Sequence, residues 1–387
     1  MTTHRQQISI TYDFPVVFTR NLFAPRNRHL RDAIATTDTP APHRCLVLVD
    51  RGAARAHPRL SDQIRDYFTA HSDALQLARA PQLLAGGEAI KQTPEPLFRI
   101  IHALQTARIC RHSYCIAVGG GAFLDAVGLA AALFHRGVRH IRIPTTALAQ
   151  CDSGVGVKNA INHANAKNLL GTFAPPHAVL NDSLFLDTLP RPLILDGIAE
   201  AIKVAAIKDA PYFRSIERAA PRIAAGNPTT IRRILQRCAL LHLDHIATSG
   251  DPFELGSARP LDYGHWSAHK LEAITNHRIS HGHAVAIGIC LDALYAARLG
   301  HLPGSEANRL IRTVHTCGLP TFHPALLQTN SRGRLLLLDG IEEFRAHLGG
   351  QLTLTIPAPL GSRIELHEID IPLLTHCLHT LSAGVSP

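Results

Sequence analysis

Residues 113–137 read SYCIAVGGGAFLDAVGLAAALFHRG. A short apolar run halts at three glycines and resumes as a helix with small residues on one face. Strand, glycine turn and helix together form part of a parallel βαβ unit, and such units build a sheet covered by helices on both faces. The neighbouring segments fit that plan. RCLVLVD, residues 44–50, is a continuous apolar run ending in Asp50, the profile of a buried parallel strand, and RHIRIPTT is a second strand. QISITYDFPVVFT alternates and reads as an edge strand or hairpin. Beyond LFLDTLPRPLILDGIAEAIKVAAIKD the texture changes. Helical periodicity dominates from about residue 192 to 317, with breaks at AAGNPTT, SGDPFELGSARP and HLPG, before a mixed end that includes the strand LTLTIP. The expectation is a doubly wound α/β domain over 1–190 and a mostly α-helical domain over 191–387.

With 387 residues, 46% hydrophobic and 18% charged, the chain has material for two cores and no disordered character. The formal charge is +9 with 25 histidines besides, yet Lys and Arg are dispersed and aromatics make up only 5%. That pattern argues against a nucleic-acid partner and suits small phosphate-bearing ligands better. No apolar run approaches the roughly 18 residues of a membrane span, and MTTHRQQISITYDF has no apolar signal core, so a cytoplasmic protein with no membrane partner is expected. Eight cysteines are scattered without a CxxC pair, which speaks against a disulfide framework and against a thiolate zinc site.

Three stretches carry chemistry. In AVGGGAFLDAVG, glycines at the strand-to-helix switch let backbone amides approach a phosphate, and the helix N-terminus adds partial positive charge. Asp50, ending an earlier strand, suits a ribose hydroxyl pair, although an ordinary strand-end aspartate reads the same way. Glu200 and Lys203 share one helix face in GIAEAIKVAAIKD, His265 and His269 share one in DYGHWSAHKLE, and RISHGHAVAIG adds His281 and His283 at a helix start. Two histidines and a carboxylate with an open position make a catalytic zinc set, while 25 histidines also generate such pairs by chance. Finally, GVGVKNAINHANAKNLLG reads as a glycine-loosened loop. Lys158, Asn162, Lys167 and Asn168 cannot all serve a core, and Lys158, Lys167 and Asn168, with Asp152 upstream, would form a polar pocket for an anionic, hydroxyl-rich ligand.

Together these stretches resemble the sugar phosphate cyclases, the dehydroquinate synthase-like family. GGGAFLDAVG, IPTTALAQCDSGVGVKNAIN, AEAIK, GHWSAH and HGHAVAIG occur in the family's order and spacing between about residues 45 and 290. The resemblance implies an NAD-binding α/β domain, a helical zinc domain and a homodimer. It makes Glu200, His265 and His281 the ligands of Zn2+, or of Co2+ in its place. It lines NAD+ with Asp50, Glu88, Lys91, Gly120, Gly121, Ala122, Asp125, Thr145, Thr146, Leu148, Asp152, Ser153, Lys167, Phe185 and Thr188. It sets Asp152, Lys158, Asn168, Lys203 and His269 around the substrate, with Arg136 reaching a phosphate across the dimer. The chemistry it implies is transient oxidation of a substrate hydroxyl, elimination of phosphate, return of the hydride, and ring closure by intramolecular aldol addition, with NAD recycled.

Departures from the family pattern point to the substrate. In dehydroquinate synthases a Lys and an Arg ahead of the zinc histidine grip a carboxylate; those positions are Asp244 and Ala258 here, with Arg259 adjacent. Asp262 replaces an Asn, His283 replaces a Glu, and DGIEEFRAHLGG replaces a basic segment. Anions in a carboxylate site cost several kcal/mol, so the substrate is expected to lack that carboxylate. DGIEEFRAHLGG and GTFAPP resemble the sedoheptulose 7-phosphate cyclases that make valiolone-type C7 cyclitols. His269 tilts the resemblance toward a 2-epi-valiolone synthase-like member, because the 2-epi-5-epi branch carries a proline near there. The alternatives are a 3-dehydroquinate synthase, an NAD-dependent polyol dehydrogenase of the glycerol type, and a non-catalytic relic, the last disfavoured by the intact zinc and lysine set.

Overall fold

The structure is a computed structural model that describes residues 2–35, 40–164, 166–256 and 259–384. The chain forms two compact units, Met1–Pro144 with Val157–Asp182, and Thr145–Gly156 with Ser183–Pro387.

In the first unit, among the described residues, a seven-stranded parallel sheet runs β1-β9-β6-β5-β2-β3, with β4 also beside β2. The strands are β1 (Val16–Thr19), β2 (His43–Asp50), β3 (Leu75–Leu77), β4 (Gln82–Leu84), β5 (Tyr114–Gly119), β6 (Arg139–Pro144) and β9 (Ala178–Asp182). Cys45 to Val49 and Tyr114 to Val118 are fully buried, as unbroken apolar runs in a covered parallel sheet must be. Of the expected N-terminal strand only VVFT forms one, pairing with β9, and residues 8–14 carry none. Alternation alone does not make a strand without a free sheet edge beside it.

The polar stretch at 154–171 corrects the reading as a loop. It contains an antiparallel hairpin of β7 (Lys158–His163) and β8 (Ala166–Phe173). Asn159 is buried beside Arg142, which has no exposed surface and needs acceptors, while Asn162, also buried, accepts from Asn168 N at 3.0 Å. Arg142 Nη2 donates to Asn159 Oδ1 at 2.7 Å and to the Lys158 carbonyl at 3.0 Å. The inward Asn159 amide that looks like loop chemistry is thus an acceptor for a buried cation.

Helix α1 (Gly121–Leu133) follows β5. The second unit contains α2 (Arg191–Lys208), α3 (Ala210–Ala224), α4 (Pro228–Thr248), α5 (His265–Ile274) and α6 (His281–Arg298), and a small sheet of β10 (Leu354–Pro357) and β11 (Arg363–Leu366). From Leu195 to Ile207 every residue of α2 is buried, so this helix is the axis of the helical core. No described helix is long and apolar enough to cross a membrane.

Candidate active site

The first unit places its chemistry at the carboxyl ends of adjacent strands. β2 continues to β3 on one side and β5 to β6 on the other, so the sheet reverses its winding between β2 and β5. In doubly wound sheets ligands bind at such a switch point. Asp50 closes β2, and Gly120 and Gly121 with Ala122 open α1 after β5. No side chain caps α1 and no acid stands in its first turn, which leaves its leading amides without a side-chain acceptor, as an anion at a helix N-terminus requires. The Asp50 carboxylate accepts from Gly52 N at 2.7 Å. A Cβ on Gly86 would lie 2.1 Å from Asp50 Oδ2, so only glycine leaves the carboxylate where it is.

Nearby in sequence, Glu88 and Lys91 bound a short 3-10 helix. Lys91 is 5% exposed, with Nζ 2.7 Å from Asp125 Oδ2 and 2.5 Å from Asn168 Oδ1. Burial pushes the Asp125 carboxyl up, and Lys91 opposes that shift. Asn168 adopts a left-handed backbone at φ 55° while its N–H donates to Asn162 Oδ1 at 3.0 Å. Lys158 and Lys167 stand exposed on opposite strands of the hairpin, and Arg136 is exposed at the end of the α1 region with φ 63°.

The second unit holds the remaining residues. Thr146 caps the short helix Ala147–Cys151, which carries Leu148, through a 3.2 Å bond from Ala149 N, with buried Thr145 before it. Asp152 closes that helix and Ser153 follows. Phe185, buried, and Thr188, exposed, lie in the 3-10 segment Ser183–Thr188. The NAD-lining set expected from the sequence therefore divides between the two units.

Around α2 three elements converge. Gly264, left-handed at φ 78°, turns the chain into α5, and an added Cβ would lie 2.6 Å from Ile289 of α6. A Cβ on Gly282 would lie 2.3 Å from Asp196 Cα, so the start of α6 sits directly on α2. His265 Nε2 and His281 Nε2 are each 3.8 Å from Glu200 Oε1. One ring nitrogen each of His265, His269 and His281 lies within 4.8 Å of the others. Glu200 is fully buried and its Oε1 accepts no hydrogen bond, although Lys203 Nζ pairs with Oε2. Burial pushes the Glu200 carboxyl up against the pull of Lys203. Burial and the Lys203 charge push the His265 imidazole well down, leaving it neutral.

These residues fit a metal. A tetrahedral zinc site with bonds of 2.0–2.1 Å spaces its donors by roughly 3.3 Å, close to the gaps here. The outer nitrogens are already engaged: His265 Nδ1 with the Tyr263 carbonyl at 3.2 Å and His281 Nδ1 with Glu272 Oε2 at 3.2 Å. That pattern aims Nε2 inward, as in metal-binding histidines. His269, assigned from the sequence to the substrate, stands within ligand range of the other two rings.

Several contributors were missed. Asp152 Oδ1 lies 2.9 Å from His242 Nδ1 on α4. Burial alone would raise the Asp152 carboxyl, but His242 and Lys203 hold it well below the usual range. Burial would lower Lys203, yet Glu200, Asp152 and Asp262 keep its ammonium above the usual lysine range. Glu272 and Asp292 are the other two. Asp292 accepts from Gly264 N at 3.1 Å and Trp266 Nε1 at 2.9 Å, on either side of His265, and burial pushes its carboxyl up to about 7. Glu272 is signalled by falling seven residues after His265 on the same helix face. His242, one of 25 histidines, has no distinguishing signal. His283 is held by Asp196 Oδ1 at 2.9 Å and by Ser280 Oγ at 2.7 Å, so the position is a structural link between α6 and α2.

Comparison with known proteins matches two successive stretches of the chain. The model of the 3-dehydroquinate synthase N-terminal domain matches residues 82–195, and that of the C-terminal domain residues 197–339. A 2-epi-5-epi-valiolone synthase of an Actinomyces species is 32% identical over 382 residues, 96% of this chain and 95% of that one. A 3-dehydroquinate synthase of Rhodospirillum rubrum is 34% identical over 347 residues, covering 89% and 86%. Among solved structures, the 2-epi-5-epi-valiolone synthase ValA of Streptomyces hygroscopicus subsp. jinggangensis 5008, with NAD+ and Zn2+ bound, matches at a TM-score of 0.85 and 26% identity, over 98% of this chain and 99% of that one. The sheet with its glycine turn and the buried carboxylate–histidine cluster thus occur in a chain that belongs to the 3-dehydroquinate synthase family, the sugar phosphate cyclases.

Proposed function

We propose that this protein is a phosphate-eliminating carbon–oxygen lyase that cyclises sedoheptulose 7-phosphate to a valiolone-type C7 cyclitol. The observation that carries the reading is the convergence of Glu200, His265 and His281 with Lys203 on one buried point, in a chain similar over nearly its whole length to a 2-epi-5-epi-valiolone synthase.

Glu200, His265 and His281 would hold Zn2+, or Co2+, and the Asp50 and Gly120–Gly121 strand ends would hold NAD+. Bound there, the two would supply polarisation of a substrate hydroxyl and a reversible hydride exchange at its carbon. The chain's own residues do the rest. Lys203, an ammonium in this setting, donates a hydrogen bond to a substrate oxygen and does not act as a base. Asp152, kept ionised by His242 and Lys203, accepts from substrate hydroxyls. Lys158, Asn168 and Arg136 are assigned to the substrate and its phosphate, Arg136 from the second subunit of a homodimer, and Lys167 to NAD+. Lys91 fixes the Asn168 amide for that contact. The enzyme is read as cytoplasmic.

Loss of the carboxylate grip separates this reading from 3-dehydroquinate synthase. Asp244 is exposed on α4, and Arg259 Nε lies 3.7 Å from Glu254 Oε2. Asp262 adds negative charge beside Lys203. Ala258 lies outside the described residues. Two of the similar proteins named above are 2-epi-5-epi-valiolone synthases by name; His269, set within 4.8 Å of the other two rings, carries 2-epi-valiolone as a second reading. The test is phosphate release from sedoheptulose 7-phosphate and from the carboxylated dehydroquinate synthase substrate, side by side, with the product epimer resolved by NMR. Accumulation of NADH without phosphate release would instead identify a polyol dehydrogenase.

A further inference from the structure

Helices α3 and α4 enclose a cleft of about 730 Å³ whose lining includes none of the residues assigned above. Arg218 and Arg222 approach it from α3, one turn apart, and Arg233 and Arg237 from α4, also one turn apart. Like charges at i and i+4 destabilise a helix by a few tenths of a kcal/mol, and here two such pairs face one cavity. A dispersed basic surface does not require that arrangement.

Compensation is incomplete. Arg237 Nη2 pairs with Asp209 Oδ2 at 2.7 Å, and Asp209 also caps α3 through Tyr212 N. With four guanidinium groups and one carboxylate in the lining, the cleft keeps a net charge of 4 − 1 = +3. The side chains of Arg218, Arg222 and Arg233 make no hydrogen bond or ion pair among the described residues. Glu217, adjacent in sequence to Arg218, is instead held by both arms of Arg309 at 3.0 and 2.7 Å.

The cleft is also preformed. Tyr212, 4% exposed, donates from its hydroxyl to the Ile234 carbonyl at 2.6 Å, tying α3 to α4 at the base. Its volume falls in the range of small-molecule sites. Guanidinium forks on opposite walls match phosphoryl oxygens in bidentate fashion. The lining offers no exposed aromatic face for stacking a base, which disfavours nucleic acid.

From this juxtaposition we infer that the α3–α4 cleft is a second anion site, separate from the cyclase centre, for a small metabolite bearing two phosphoryl groups. Arg222 and Arg233 grip one phosphoryl group from opposite walls, Arg218 meets the other, and Asp209 keeps Arg237 extended beside them. The inference does not depend on which sugar the enzyme cyclises.

The test is isothermal titration of the full-length protein, loaded with NAD+ and zinc, with fructose 1,6-bisphosphate as probe at physiological ionic strength. Wild type should bind at a site that Arg222→Gln/Arg233→Gln loses or weakens by about tenfold or more, the scale of one lost charge-assisted hydrogen bond. The double variant should melt no lower than wild type, since it relieves like-charge repulsion. If it does not fold, Arg218→Gln is read by the same titration and should weaken the same site. Identical isotherms for wild type and variants overturn the assignment. So does a polyglutamate peptide that outcompetes the sugar bisphosphate in wild type alone, because the cleft would then be a protein-docking face.

Discussion

Glu200 Oε1 lies 3.8 Å from His281 Nε2 and accepts no hydrogen bond, while Glu272 holds the other nitrogen of that histidine at 3.2 Å. A buried carboxylate oxygen left without a donor costs roughly 1–3 kcal/mol unless something else fills the gap. A divalent cation does so, and the Glu272 contact then fixes the ring that shares it.

Glu200→Gln should therefore abolish zinc retention and activity, and Glu272→Gln should weaken retention by about 10- to 100-fold with the fold intact. Elemental analysis after dialysis against a chelator, beside circular dichroism, reads both. Full zinc occupancy in Glu200→Gln would remove the residue from the metal set.

Asp50 gives a test of the cofactor end. Asp50→Ala should weaken NAD+ binding by roughly 1–3 kcal/mol. Gly86→Ala should do the same without touching the carboxylate chemically, because its Cβ would lie 2.1 Å from Asp50 Oδ2 and displace it. Unchanged NAD+ affinity in both variants would place the ribose at another strand end.

What the sequence shows and what it hides divide along physical lines. RCLVLVD and YCIAVGGG are legible because a strand buried on both faces must be apolar without interruption, and a helix entered through glycine must follow. His265 and His269 are legible because a helix puts i and i+4 on one face. The hairpin is not, because Asn159 faces a buried Arg142 and the buried Asn162 accepts from Asn168 N. Polar inward positions erase the period-2 signal by which a strand is recognised. His242 is hidden for another reason. It reaches Asp152 across the helical core, and no local spacing encodes that contact.

Arg142 yields a stability prediction. Arg142→Leu removes the donor to the buried Asn159 Oδ1 and should destabilise by about 1–3 kcal/mol. Arg142→Leu/Asn159→Leu should recover part of that loss, since removing both partners is cheaper than removing one. Thermal melting of the two variants against wild type decides the point.

Asp292 predicts a pH dependence. Its carboxyl is raised to about 7 in the fold, against an ordinary value near 4 in the unfolded chain. The folded protein thus binds a proton that the unfolded chain releases. Its contribution is fully present below about pH 4 and is lost as pH rises through 7, by at most about 1.4 kcal/mol per pH unit. Asp292→Asn should flatten that part of the melting profile between pH 4 and 7. An unchanged slope would show that the carboxyl ionises in place.

Substrate choice is decided where a carboxylate grip is missing. Asp244 is an anion at the position of the expected lysine, and Asp262 directs its charge at Lys203. Arg259, next to Ala258 in the sequence, is the cation that would restore the grip by a one-residue shift, and its Nε lies 3.7 Å from Glu254 Oε2. Pulling Arg259 to a substrate carboxylate would separate it from Glu254, so the gain of one ion pair is offset by loss of another. The enzyme should turn over sedoheptulose 7-phosphate and discriminate against the carboxylated heptulosonate by about 10³-fold in kcat/KM, equivalent to roughly 4 kcal/mol. Glu254→Gln releases Arg259 and should narrow that ratio by raising activity on the carboxylated sugar alone. Comparable turnover of both sugars by wild type would show that the carboxylate is gripped after all and return the protein to the 3-dehydroquinate synthases.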